Sequence, residues 1–312
     1  WGAPGEERAA AQILVRRAGG LAIGYAAKGP QVGGGSALWR EVLGDLAAWA
    51  RFRRLALLKI DADVPRAADA VAAAWRGAGF RPSDEPIQFP CTMESALGSD
   101  EALLAAMTSK GRYNVRLAER RGVVVRAGGS ADLAAFADLY LATAARQGFA
   151  ACSRAYYLDA WSAFLAGGQA VLLLAEREGE TLAGALCARF GPTAWYLYGA
   201  SAARGREHMA PHAALAASLH WARDAGCARF DWWGGPTELV ESDPLWGVYR
   251  FKRQLGAVWR PQIGAWDLAP DPLRHAAYRA MALARRRWLA IARRGRGAAA
   301  RESLDAVADP LK

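Results

Sequence analysis

Residues 171–200 read VLLLAEREGETLAGALCARFGPTAWYLYGA. Three apolar runs, 171–177, 181–190 and 194–200, are separated by Glu178-Gly179 and by Gly191-Pro192. Short apolar runs punctuated by such pairs predict strands joined as hairpins, an antiparallel meander. Upstream, a strand over 123–126 precedes two helices, 132–146 with Ser130 as its cap and 155–165. Downstream come a helix over 211–225 and a strand over 229–233. The order after the strand at 123–126 is therefore ααβββαβα. The first third reads ββαβα: strands at 13–15 and 21–26, a helix over 38–52 capped by Ser36, a strand over 55–60, and a helix opening near Pro65 and closed by Gly77 and Gly79. Between the two blocks lie breakers at 81–90, a short strand over 92–97, and helical segments over 100–121 ended by Gly122. The whole is a mixed α/β plan in which one module type is used twice, without an internal sequence repeat.

Length and charge agree with two modules. The chain has 312 residues, enough for two domains of roughly 150 residues each. Hydrophobic residues at 53% and charged residues at 22% exclude a disordered chain. Lys and Arg exceed Asp and Glu by 40 to 30, a net +10, which selects phosphates, nucleic acid or anionic lipid as partners. Cys91, Cys152, Cys187 and Cys227 show neither disulfide-framework nor zinc-ligand spacing. No apolar run reaches the roughly 18 residues of a membrane span. Trp1 opens the chain without a signal-like segment, so the expectation is a soluble cytoplasmic protein trimmed at its N-terminus.

The stretch 272–294 places Ala277, Met281, Ala284, Trp288 and Ile291 on one helical stripe, with Arg279, Arg285, Arg286, Arg287, Arg293 and Arg294 largely elsewhere. Two readings follow: a helix docked by its stripe on its own domain, or a basic helix held at an anionic membrane or tRNA. Fraying is expected beyond Gly295.

Common catalytic signatures are missing. Gly199-Ala-Ser201-Ala-Ala203 lacks the last glycine of a nucleophile elbow. His208, His212 and His220 have metal-like spacing, but Pro211 begins the helix and leaves His208 outside it, and no carboxylate completes the set. Arg206-Glu-His-Met-Ala210 lacks the two glycines of a coenzyme A pyrophosphate loop. What remains is basic and aromatic. Arg112, Arg116 and Arg120 fall on one helical face at i, i+4, i+8, read either as a solvated face or as a phosphate or tRNA-backbone site. Lys28-Gly-Pro30 follows a strand. Tyr198 to Ser201, the loop, and Pro211-His212 form a strand, loop and helix N-terminus, an anion site by geometry. Phe251-Lys252 follows the turn at Asp231-Trp-Trp-Gly-Gly235, and a lysine beside a ring, partly desolvated, can stabilise a developing oxyanion.

Lys28-Gly-Pro30, Arg112-Tyr-Asn-Val-Arg116 with Arg121-Gly-Val123, Tyr198-Gly-Ala-Ser201 with Met209-Ala-Pro-His212, Phe230-Asp-Trp-Trp-Gly234 and Phe251-Lys-Arg253 occur in the order and spacing of one family. From about residue 21 to 268 the chain resembles the Fem family, FemX, FemA and FemB, the tRNA-dependent aminoacyltransferases of peptidoglycan bridge synthesis. The resemblance implies two acetyltransferase-like (GNAT-like) domains, 1–121 completed by 261–312, and 122–260. It implies an aminoacyl-tRNA donor, UDP-MurNAc-pentapeptide or lipid II as acceptor, and neither metal nor other cofactor. Lys252, beside Phe251, matches the lysine of the family's Phe-Lys-Arg motif and is the candidate for stabilising the oxyanion. Lys28 matches the lysine suited to the precursor diphosphate, and Arg154 and Tyr157 lie where the family binds the same precursor. Tyr198, Ser201, His212 and Asp231 belong to the matched motifs and are further substrate-binding candidates. The chain departs from the family at Ala96, where an Asp is usual, so the carboxylate of that position is absent.

Three functions fit this reading. The first is a Fem-type transferase acting on a peptidoglycan stem peptide, cytoplasmic and peripheral at the inner face of the membrane. The second keeps the fold and donor but uses a non-peptidoglycan amine. The third is a non-catalytic protein binding RNA or anionic lipid.

Overall fold

The computed structural model describes residues 1–3 and 5–295. The chain forms two compact units, one from Trp1–Cys91 with the described residues from Pro261 onward, the other Thr92–Arg260. In chain order, the first unit contributes β1 (Ala9–Ala10), β2 (Leu14–Ala18), β3 (Leu21–Ala26), β4 (Gln31–Val32), α1 (Ser36–Phe52), β5 (Leu57–Ile60), α2 (Asp69–Gly77) and β6 (Arg81–Pro82). There follow β7 (Cys91–Ala96), α3 (Asp100–Ala106), α4 (Ser109–Arg120), β8 (Val124–Gly128), α5 (Leu133–Gln147), α6 (Arg154–Ala166), β9 (Ala170–Arg177), β10 (Glu180–Phe190), β11 (Thr193–Ser201), α7 (Ala210–Asp224), β12 (Arg229–Asp231), α8 (Trp246–Gln254) and β13 (Val258–Pro261). The chain then returns to the first unit with β14 (Trp266–Leu268) and α9 (Pro272–Gly295).

The first unit is built on a sheet of order β2-β3-β5-β14-β6. β5 is buried at every position and pairs in parallel with β3, Ala26 opposite Ile60. Continuous burial rather than alternation is what a central strand covered on both faces requires. α1 buries Leu38, Trp39, Val42, Leu43, Leu46, Ala47 and Ala50, an apolar stripe at helical spacing, against this core. Trp75 joins Trp39 and Trp266, at ring separations of 5.5 and 5.4 Å. Ser36 is the first helical residue and not the cap; Gly35 holds the cap position with no side-chain bond. α2 begins at Asp69, several residues after Pro65.

The second unit holds the meander within a sheet of order β13-β7-β12-β11-β10-β9-β8. Glu178 and Gly179 both have positive φ, 53° and 80°, and join Arg177 to Glu180, the two-residue type I′ turn that suits twisted strands. β11 pairs in parallel with β12, and α7 packs over β9, β10 and β11. Residues 92–121, assigned by sequence to the first domain, pack with the second unit: β7 pairs with β12, Glu94 opposite Asp231, and α4 lies against α7 and α8. The helical stretch 100–121 divides in two because Thr108 caps α4, its Oγ1 accepting from Gly111 N at 3.1 Å. Ser130 opens a short 3₁₀ turn ahead of α5.

On α9 the described part of the predicted apolar stripe is mostly turned away from the unit, with Met281 alone reaching back to Gly19. Ala277, Met281, Ala284 and Trp288 are exposed, whereas Arg274, Tyr278, Ala282 and Arg285 are half-buried on another face. The side chains of Ile291, Arg293 and Arg294, and the segment beyond Gly295, lie outside the described residues. Among the described residues no helix is long and apolar enough to cross a membrane.

Candidate functional site

The first unit places its candidate lysine by strand topology. β3 and β5 run in parallel, so the segments leaving their C-terminal ends are neighbours, a common position for ligands. Lys28 has φ +53°. Its Nζ donates to Asp63 Oδ1 at 2.7 Å, and both side chains are partly exposed. Asp61 N donates to Gly29 O at 3.0 Å, which ties the Lys28 loop to the end of β5. Tyr25 Oη donates to Asp61 Oδ2 at 3.2 Å. Burial raises the Asp61 carboxyl, opposed by the Lys28 charge and the Tyr25 hydrogen bond. Burial and the Asp61 charge likewise push Tyr25 up. Sequence reasoning found Lys28 but missed Asp61 and Asp63, although Asp-x-Asp directly after a buried run carried the same strand-end signal.

In the second unit Lys252 sits on α8 and is 6% exposed. Its Nζ donates to Gly234 O at 2.7 Å and to Trp233 O at 3.0 Å. Those carbonyls point at it because Trp233 adopts φ +61°, held by Trp233 N donating to Asp231 Oδ1 at 2.7 Å. The same Asp231 oxygen accepts from Thr92 Oγ1, which fixes the carboxylate from β7. Burial lowers the Lys252 pKa to about 8, and the nearby Asp231 charge opposes the shift. The ammonium has three hydrogens, two of which these carbonyls take. The third has no partner among the described residues.

Beside it, Phe251 meets the His212 ring edge-on, centroids 5.0 Å apart. His212 Nε2 lies 3.1 Å from both Asn114 Nδ2 and Gln254 Oε1. Three helices, α4, α7 and α8, are thus pinned at one buried imidazole, whose pKa burial holds below the usual histidine value. The approach of α4 to α8 requires a glycine: a Cβ on Gly111 would stand 1.9 Å from Gln254 O. His212, Phe251, Ser201, Arg204 and Gly205 line a cavity of about 500 Å³. Ser201 is held there by Arg146, whose Nη2 donates to its carbonyl at 2.7 Å and its Oγ at 3.1 Å. The α7 N-terminus offers an anion less than the sequence implied, since Pro211 has no N–H and His212 N and Ala213 N both donate to Met209 O.

Tyr157 and Tyr198 come together, ring centroids 5.7 Å apart, in an aromatic cluster with Tyr140 and Trp161. Tyr157 is buried, and its Oη accepts from Cys152 N at 2.9 Å. Burial pushes Tyr198 up to about 12. Arg154 opens α6 and binds Asp138, Nε to Oδ1 at 2.6 Å.

The three arginines of the α4 face have different surroundings. Arg112 donates to Leu104 O at 3.1 Å and to Met107 O, closing the end of α3. Arg120 lies over the Tyr113 ring at 5.7 Å. Arg116 is exposed. Asn114, Gln254 and Thr92 escaped the sequence reading as site residues, although Asn114 lies within the quoted Arg-Tyr-Asn motif.

The FemAB family model matches residues 68–178 and 176–283. A lipid II:glycine glycyltransferase of Staphylococcus saprophyticus is 25% identical over 280 residues, 67% of this chain and 68% of its own length. A UDP-N-acetylmuramoylpentapeptide-lysine N(6)-alanyltransferase of Weissella viridescens is 30% identical over 166 residues, 53% of this chain and 48% of its own. Among solved structures, FemX superposes with a TM-score of 0.78 at 21% identity over 86% of both chains.

Proposed function

The chain belongs to the FemAB family, and we propose that it is an aminoacyltransferase that moves an amino acid from aminoacyl-tRNA to an amine of a peptidoglycan-precursor stem peptide. The observation that carries this reading is Lys252: a buried cation held by two carbonyls, with Phe251 beside it on the wall of the cavity. The donor ester is already activated, so the enzyme's tasks are to position the amine and to stabilise the tetrahedral oxyanion. The amine nitrogen attacks the ester carbonyl carbon, and Lys252 offers its third N–H to the oxygen that gains charge. Collapse forms the amide, expels the terminal ribose oxygen, and returns the amine's proton to that oxygen. Lys28 binds the precursor diphosphate, with Arg154, Tyr157 and Tyr198 contacting the same precursor, and Arg116 contacts the tRNA backbone. The protein works in the cytoplasm in peripheral contact with the inner face of the membrane.

The test offers a panel of radiolabelled aminoacyl-tRNAs with UDP-MurNAc-pentapeptide or lipid II. Label moving to one acceptor with the wild type and not with Lys252→Ala supports the reading. Transfer that survives in Lys252→Ala sinks the mechanism, and wild-type protein that transfers to neither acceptor sinks the function.

A further inference from the structure

The first unit carries an exposed apolar and cationic face that the transfer reaction does not use. α1 ends in Arg51-Phe52, followed by Arg53 and Arg54, and Phe52 is 83% exposed. α9 opens with Pro272-Leu273, and Leu273 is 82% exposed. Arg51, Arg54, Pro272 and Arg274 line one cavity of about 450 Å³, which makes the end of α1 and the start of α9 neighbours. Farther along α9, Met281, Leu283 and Trp288 are also exposed, Trp288 at 58%. Met281 Sδ reaches the hairpin at Gly19, so the helix stays on its own unit while presenting that side chain. Arg274 is paired with Asp271 and Arg286 with Glu85. Arg51, Arg53, Arg54, Arg279 and Arg287 are exposed and have no carboxylate partner among the described residues.

Charge and apolarity together choose the partner. An RNA would recruit the guanidinium groups and can stack bases on Phe52 and Trp288, but has no use for exposed leucine and methionine. A bilayer surface uses both, taking apolar side chains into the acyl boundary and arginines at anionic headgroups, with tryptophan at the level between them. We propose that this face, from Arg51–Arg54 along α9 to Trp288, docks on an anionic phospholipid bilayer. The proposal deepens the peripheral contact described above and rests on that reading, although binding is measured without any transfer.

The test is co-sedimentation of the full chain with vesicles of phosphatidylcholine alone and of phosphatidylcholine with phosphatidylglycerol in equal parts. The wild type sediments with the anionic vesicles only. At about 1 kcal/mol per basic residue near such a surface, Arg51→Gln with Arg54→Gln lowers the partition coefficient roughly 30-fold. Phe52→Ser with Leu273→Ser and Trp288→Ser lowers it as well, and circular dichroism shows both variants folded. Equal sedimentation with both vesicle types, none with either, or wild-type partition in both variants overturns the proposal. So does a loss of tRNA binding in the arginine variant with vesicle binding unchanged, which would make the face an RNA surface. Transfer to water-soluble UDP-MurNAc-pentapeptide without vesicles is read in parallel and stays at the wild-type level in both variants. Wild-type protein that transfers neither to this acceptor nor to detergent-solubilised lipid II would count against the transferase alone and leave the vesicle result standing.

Discussion

Lys252 and Lys28 are both lysines of matched motifs, yet their surroundings are opposite. Lys252 is buried and held by two neutral carbonyls, and the carboxylate whose charge acts on it, Asp231, accepts from Thr92 and the Trp233 amide. Lys28 is partly exposed and donates directly to a carboxylate, Asp63. Carbonyl dipoles orient an ammonium without cancelling its charge, so the field of Lys252 still reaches a charge that develops beside it. A carboxylate cancels it, so Lys28 acts on an anion only in competition with Asp63. The first environment suits transition-state stabilisation and the second suits exchange of one anion for another.

The sharpest way to break this contrast is to change Lys252. Loss of one oxyanion donor costs about 100- to 1000-fold in kcat, and Lys252→Ala is expected to fall in that range with the precursor KM little changed. Lys252→Arg keeps the charge but brings a planar fork that does not match two carbonyls converging on one nitrogen, so it restores only part of the rate. The pH profile separates the two variants. Wild-type Lys252 is the cation below about 8, so kcat falls as pH rises through that value, whereas Lys252→Arg has no alkaline limb. Stability moves the other way. Between about 8 and 10.5 the unfolded chain holds the Lys252 proton and the folded one does not, so this residue's contribution to stability rises with pH. A melting temperature that drops together with kcat just above pH 8 would assign the limb to unfolding instead.

A smaller effect is expected at Asp231. Its charge raises the Lys252 pKa against the effect of burial. Asp231→Asn keeps an oxygen for Trp233 N and Thr92 but removes the charge, so the alkaline limb moves to lower pH while the rate in its acidic plateau changes little. An unmoved limb would show that Asp231 acts on the turn alone.

The meander and the buried β5 were legible because strand periodicity and turn chemistry are local properties of side chains. The partners of Lys252 were not, since they are carbonyls that every residue carries, aimed by one positive φ at Trp233. Asn114, His212 and Gln254 come from three helices far apart in sequence, and nothing local announces that they meet. The boundary of the second unit was misread for a related reason: β7 resembles any short strand, and its membership is decided by pairing with β12. On α9 the spacing identified an amphipathic helix but not which face docks. The aliphatic stems of Arg274 and Arg285 can cover surface as well as an apolar stripe does, which leaves most of that stripe outward.

The smallest effect is expected at Asp63. A partly exposed ion pair contributes roughly 0–1 kcal/mol, so Asp63→Asn leaves the melting temperature almost unchanged. The same energy no longer opposes an incoming diphosphate, and affinity for UDP-MurNAc-pentapeptide rises by up to about fivefold. The mutated amide still accepts a hydrogen bond from Lys28, which keeps the loop in place and makes the change one of charge rather than geometry. Lys28→Ala moves affinity in the opposite direction, and in the double variant the Asp63 effect vanishes because its target is gone. Calorimetric titration of the four proteins completes the cycle. If Asp63→Asn weakened binding instead, Asp63 would be a direct contact to the acceptor, and the Lys28 pair would resemble the Lys252 site in holding a group in place.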